Sequence, residues 1–198
     1  MFNVKRLRCF VGWLAILLPW IVVILSLAFG YSFPESISAT YYRAECITPF
    51  MIILGSASIL LMYYDGYDKT DDILNTIAGI LGLCICFFPC AAGGTFRLRA
   101  EVSSVLHMIS AMLFFAILSY VSIFQFTKSG GEMSKQKKIR NIIYRVCGCG
   151  MLLSFLILVI PGFTIKVWLT EAIALLFFGI SWLTKAQAYR WLVADKEA

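Results

Sequence analysis

Two ionisable side chains stand inside otherwise uncharged, apolar runs of this chain: His107 within 102–127 and Glu171 within 167–184. Imidazole and carboxylate are the groups most used to move protons near neutral pH. Held in an apolar run, each is costly unless it is paired. At about 1.5 Å of rise per helical residue, His107 lies about one and a half turns into its run and Glu171 about one turn into its own. If both runs are helices descending from the same side, the two side chains reach the same depth. A direct His–Glu hydrogen bond is expected, because it would satisfy both groups.

Polar residues are expected to gather around that pair. Thr48, Ser103 and Ser104 stand at run ends, and the adjoining connections supply Ser36, Ser38, Tyr41, Tyr42, Arg43, Glu45, Arg97, Arg99 and Glu101. Guanidinium groups suit phosphate or carboxylate, and tyrosines provide amphipathic walls. The ligand-binding set read from these positions is His107, Glu171, Arg43, Tyr41, Tyr42, Glu45, Arg97 and Arg99. The plainer reading is interface polarity, since serine and tyrosine are common at headgroup depth and a shallow Glu or His can reach water. No catalytic set is assigned: the nucleophile-elbow pattern GxSxG does not occur. One histidine cannot furnish a zinc hydrolase or a bis-histidine haem site, so neither metal nor cofactor is expected. The seven cysteines show no CxxC or Cys/His spacing and read as buried thiols. Cys46 and Cys90 fall at the same end of their runs, where a disulfide would be within geometric reach.

The elements that must position these groups follow from where charge is missing. Of the 198 residues 61% are hydrophobic and 14% charged, with a mean hydropathy of +0.85. Soluble domains carry about 25% charge and cannot hide so much apolar surface in one core. Charges punctuate the chain at the interval a membrane helix needs, about 20 residues for a core of about 30 Å. Uncharged runs cover 9–33, 46–64, 73–96, 102–127 (His107 aside) and 146–165, and a sixth, 167–184, is broken only by Glu171. None alternates as barrel strands do. The fold expected is all-α, a single polytopic bundle over 1–198 with spans near 10–30, 46–64, 73–92, 102–127, 146–163 and 167–187. The first run is too long for a signal-peptide core and reads as a retained helix, kinked at Pro19.

Of the 17 Lys and Arg, thirteen fall on one side of such a bundle and only Arg43, Arg97, Arg99 and Lys166 on the other. The excess marks the cytoplasmic side, so both termini are expected inside. The net charge of +6 belongs to these loops; nucleic-acid binding is not expected. On this reading 128–145 is a basic inner loop, and Trp182, Tyr189 and Trp191 lie at the inner interface with Lys185 and Arg190 snorkelling. The inner turn YYDGYDKTDD lacks the spacing of a calcium loop; Asp71 or Thr70 is expected to cap the third helix, with the basic loop opposite pairing the carboxylates. Gly79, Gly82, Gly148 and Gly150 serve helix packing.

The strings SISATYY, YYDGYDKTDD, RNIIYRVCG and EAIALLFFGISWLTK, in this order around six helices, resemble an uncharacterised family of small bacterial polytopic membrane proteins. The resemblance spans nearly the whole chain. It implies the six-helix topology and a bacterial inner membrane, and it implies no chemistry. The function expected is non-enzymatic: binding or sensing a lipid or small amphiphile near the outer leaflet. The alternatives are a lipid-modifying enzyme using His107 and Glu171, and a small transporter or channel subunit. The last is disfavoured by spans that are almost wholly apolar at mid-depth. Membrane lipids are the expected partners, with a homo-oligomer left open.

Overall fold

The computed structural model describes residues 3–90, 100–157 and 166–188. Six α-helices make up most of them: α1 Val4–Ala28, α2 Ala44–Met62, α3 Lys69–Phe87, α4 Ala100–Tyr120, α5 Lys135–Leu156 and α6 Val167–Lys185. A π-helical turn, Val121–Gln125, extends α4, and a 3-10 turn, Ser38–Tyr42, sits in the loop after α1. Six helices, with the π turn counted into α4, are long and apolar enough to cross a membrane. The shortest have 19 residues, which at about 1.5 Å each reach nearly the ~30 Å of a hydrocarbon core.

Local chemistry explains the starts. Asn3 caps α1, its side chain accepting from the Lys5 and Arg6 amides. Asp68, not Asp71 or Thr70, caps α3 through the Asp71 amide at 3.0 Å. Asp71 and Asp72 then follow in the first turn, facing the positive end of the helix dipole. Ser134 caps α5 by accepting from the Lys137 amide at 3.0 Å. Residues 135–145, expected to be loop because they are basic, are therefore helix. Lys, Gln and Arg are good helix formers; charge marks where a helix leaves the apolar layer, not where it ends. α1 and α2 continue through Pro19 and Pro49.

The helices stand in a ring in chain order, each packed on the next, and α6 closes the ring against α1. With lipid as solvent, apolar surface does not drive helices together; close fit and hydrogen bonds do. The α1–α6 seam shows how close the fit is. A Cβ on Gly12 would sit 2.7 Å from Leu183 Cγ and 2.9 Å from the Gly179 carbonyl oxygen. Gly79 and Gly82 do the same for the α2–α3 seam against Ser58, and Gly148 for α4–α5 against Ser119. Buried serines add bonds inside the ring, such as Ser122 to Ser181 at 2.6 Å. The outward face of α1, by contrast, shows Phe10, Trp13, Leu17, Trp20, Ile24 and Leu27, a stripe at helical spacing that suits lipid contact.

Candidate functional site

The loop between α1 and α2 decides the site. It folds back over its end of the ring. The Glu35 carbonyl accepts from the Trp168 amide at 2.9 Å, and the Phe33 ring meets Trp168 edge-on at 4.9 Å. This brings Ile37 and Ser38, both buried, down onto the first turns of α4 and α6.

His107 and Glu171 are brought to one place, as expected, but not into direct contact. In the ring α5 lies between α4 and α6, which touch each other only slightly. Ser38 bridges the gap. His107 Nε2 lies 3.1 Å from Ser38 Oγ, and Ser38 Oγ lies 3.4 Å from Glu171 Oε1. The second carboxylate oxygen of Glu171 accepts from the backbone amide of Ile37. His107 Nδ1 meets the Phe88 carbonyl oxygen at 2.8 Å. The direct His–Glu bond expected from depth alone is thus replaced by a three-residue chain, because equal depth on helices separated by a third does not bring side chains into contact. His107 is 4% exposed, so its bonds are made to protein and not to water.

Beneath this chain the bundle holds a cavity of about 50 Å³. All six helices wall it with apolar side chains, among them Leu18, Leu54, Ile85, Ala111, Phe155 and Leu175, while Ser38 and Glu171 are the polar residues in its lining. A void of about 10 Å³ adjoins it, sharing Leu18, Leu54, Phe114 and Leu175. Counting about 10–15 Å³ per water in such a measure, the larger space holds a few waters or a few carbon atoms.

The remaining expected residues lie higher, on the loop. Arg43 donates to the Ser32 carbonyl at 2.7 Å and stacks over the Tyr31 ring at 5.2 Å. The Tyr31 hydroxyl donates to Glu45, and that carboxylate holds the phenol above its ordinary range. The other Glu45 oxygen, Oε2, is buried without a hydrogen-bond partner. Tyr41 packs against the core, and Tyr42, exposed, meets its ring edge-on at 5.5 Å. Arg97 and Arg99 lie outside the described residues. Ser103 and Ser104 tie α4 to the end of α3, donating to the carbonyls of Pro89 and Cys90. Cys46 and Cys90 are both free thiols. Cys46 turns toward α1, 3.3 Å from Ser26 Oγ, which is why no bridge to Cys90 forms. Burial pushes the Cys90 thiol up to about 11, with the nearby Glu171 adding to the effect.

The opposite end gathers acidic and aromatic side chains. Asp68 pairs with Lys128 at 2.6 Å, the expected link to the basic segment, and the pair holds Asp68 below the usual carboxylate range. Asp71 is wholly buried and accepts from the Tyr67 amide and Asn75, both at 2.9 Å, while Asp72 accepts from the Gly66 amide. Trp182 is packed inside the bundle: Tyr64, Phe126 and Phe178 surround it edge-on, and 1% of it is exposed. Tyr189, Arg190 and Trp191 lie outside the described residues. Burial raises the Tyr64 phenol, and Arg8 lies over its ring at 5.2 Å.

No family model, no curated protein and no solved structure matches this chain.

Proposed function

We propose that the chain is a six-span membrane protein with both termini in the cytoplasm, and that its outer half binds a small amphiphile or part of a lipid. The single observation behind this is the cavity under Ser38 and Glu171, apolar on every side except its roof. A site with one polar end and an apolar body suits a ligand of the same pattern. A short hydrocarbon segment fits the interior, and a hydroxyl or carbonyl fits the Ser38–Glu171 end. The orientation rests on the bias of basic residues, thirteen against four of the 17. The bacterial inner membrane rests on the resemblance of its sequence strings. Membrane lipids are the partners this reading requires.

The test fills the cavity. Ala111 lines it and is only partly buried, so Ala111→Leu adds carbon where there is space. Thermal unfolding in detergent, with and without a graded series of fatty alcohols and single-chain lipids, should show a chain-length-dependent rise for the wild type. The variant should keep its own stability and lose that response. An equal response in both proteins overturns the proposal.

One observation favours a second reading, an acyl hydrolase. Ser38 Oγ lies within reach of His107 Nε2, whose ring is oriented at Nδ1 by the Phe88 carbonyl. That is the arrangement of nucleophile, base and orienting group. Against it, Glu171 already occupies the Ile37 amide and the Ser38 hydroxyl. Covalent labelling of Ser38 by a fluorophosphonate in the wild type, lost in His107→Gln, would favour this reading; no labelling removes it.

A further inference from the structure

Each contact in the series from Phe88 to Glu171 requires one hydrogen. A carbonyl oxygen only accepts, so the contact between the Phe88 oxygen and His107 Nδ1 at 2.8 Å places a hydrogen on Nδ1. The next two contacts, Nε2 to Ser38 Oγ and Ser38 Oγ to Glu171 Oε1, need one hydrogen each. The Ser38 hydroxyl owns one. The other must come from an end of the chain, either a protonated Glu171 or a protonated Nε2. Without it, one contact sets lone pair against lone pair at a site where Ser38 is 9% and His107 4% exposed, and an unmade hydrogen bond there is costly.

We propose that His107, Ser38 and Glu171 together form one proton-binding site, holding a single proton that passes between carboxyl and imidazole through the serine hydroxyl. In one form Glu171 is neutral and donates from Oε1 to Ser38, which donates to Nε2. In the other the imidazolium donates to Ser38, which donates to the carboxylate. Conversion moves the carboxyl hydrogen to Oγ as the hydroxyl hydrogen leaves Oγ for Nε2. Charge appears as a pair, positive on His107 and negative on Glu171, and no heavy atom has to travel. The Ile37 amide stays on the other carboxylate oxygen throughout.

The proton also holds the loop. Ser38 opens the 3-10 turn and Ile37 precedes it, so the contacts that need the proton are among those fastening the loop between α1 and α2 onto α4 and α6, while the Glu35–Trp168 and Ile37–Glu171 bonds hold it to α6 without the proton. Loss of the proton leaves Ser38 able to serve only one neighbour, and where it keeps Glu171 the loop loses its bond to His107 on α4. The site therefore acts as a proton-dependent latch over the cavity, whether or not an amphiphile occupies it.

Few other charged groups stand on the elements around this site. Among the described residues, α1 carries no charged side chain beyond Arg8, and the half of α5 nearest the site carries none. α2 offers Glu45 and Cys46, engaged with Tyr31 and Ser26; the loop offers Glu35 and Arg43; α4 offers Glu101; and Lys166, just before α6, lies over the Phe33 ring. Cys90, after α3, is close enough to Glu171 to feel its charge.

The chain contains one histidine, so heavy-nitrogen histidine labelling reports the His107 ring alone. In lipid nanodiscs the ring nitrogens of the wild type should show hydrogen on Nδ1, and the Nε2 signal should move with pH in one step. Glu171→Gln keeps a permanent donor toward Ser38, so that step should vanish and the ring stay neutral with hydrogen on Nδ1 across the same range. Ser38→Ala breaks the connection, and its ring should titrate differently from the wild type even if the amide variant folds poorly. A hydrogen on Nε2 with Nδ1 bare overturns the proposal. So does a titration unchanged by either substitution.

Discussion

Coupling between His107 and Glu171 should pass entirely through Ser38. Glu171→Ala removes two bonds, from the Ile37 amide and the Ser38 hydroxyl. His107→Ala also removes two, to the Phe88 carbonyl and to Ser38. At a net value of about 0.5–1.5 kcal/mol per bond, each single change should cost about 1–3 kcal/mol. Were the residues independent, the costs would add to within about 0.3–0.5 kcal/mol. Because both hang on one hydroxyl and one proton, the double variant should depart from the sum by at least about 0.5 kcal/mol. The decisive step is to repeat the cycle in Ser38→Ala. No direct bond joins the imidazole to the carboxylate, so the interaction energy should then fall within the error of additivity. The assay is reversible unfolding in mixed micelles, followed by helicity. Coupling that survives in Ser38→Ala would mean that the two side chains touch directly, and the bridged geometry would be refuted.

Three further outcomes follow from other parts of the fold. Gly12→Ala should destabilise by about 1–3 kcal/mol through overpacking, since its Cβ would meet Leu183 and the Gly179 carbonyl; Gly55→Ala, with open space around it, should be neutral or stabilising by up to about 1 kcal/mol, and thermal unfolding of both settles whether the α1–α6 seam is tight. The Asp68–Lys128 pair lowers the Asp68 carboxyl, so its contribution is present above the unfolded carboxylate pKa and lost as pH falls through the folded one; acid unfolding of Lys128→Met should lack that component, and an unchanged acid limb would contradict it. Reporter fusions after Gly94 and Gly162 should read as periplasmic and after Gly130 as cytoplasmic, and a cytoplasmic signal at Gly94 would overturn the proposed orientation.

The number and approximate place of the helices were legible in the sequence because they depend on sums over many residues. Six apolar runs, separated by charge, permit little else in a bilayer. His107 and Glu171 were legible for a related reason: an ionisable group in an apolar run stands out by type alone. Boundaries were less so. Residues 135–145 carry charge and still form helix, because Ser134 caps them and Lys, Gln and Arg favour the conformation.

What only tertiary structure decided was partnership. Ser38 is one serine among several in a polar loop, and nothing local separates it from Ser36. Its role comes from the loop folding back, which carries it to residues 69 and 133 positions away along the chain. Nothing in the last helix's own sequence shows that Tyr64 and Phe126 close around Trp182. Cys46 falls at the same end of the bundle as Cys90, but its helix turns it toward Ser26. Depth is a one-dimensional quantity set by hydropathy and rise per residue, and the sequence determined it. Which side chains meet at that depth depends on the order and rotation of helices around the ring, set by close fits such as Gly12 against Gly179 that no single segment encodes.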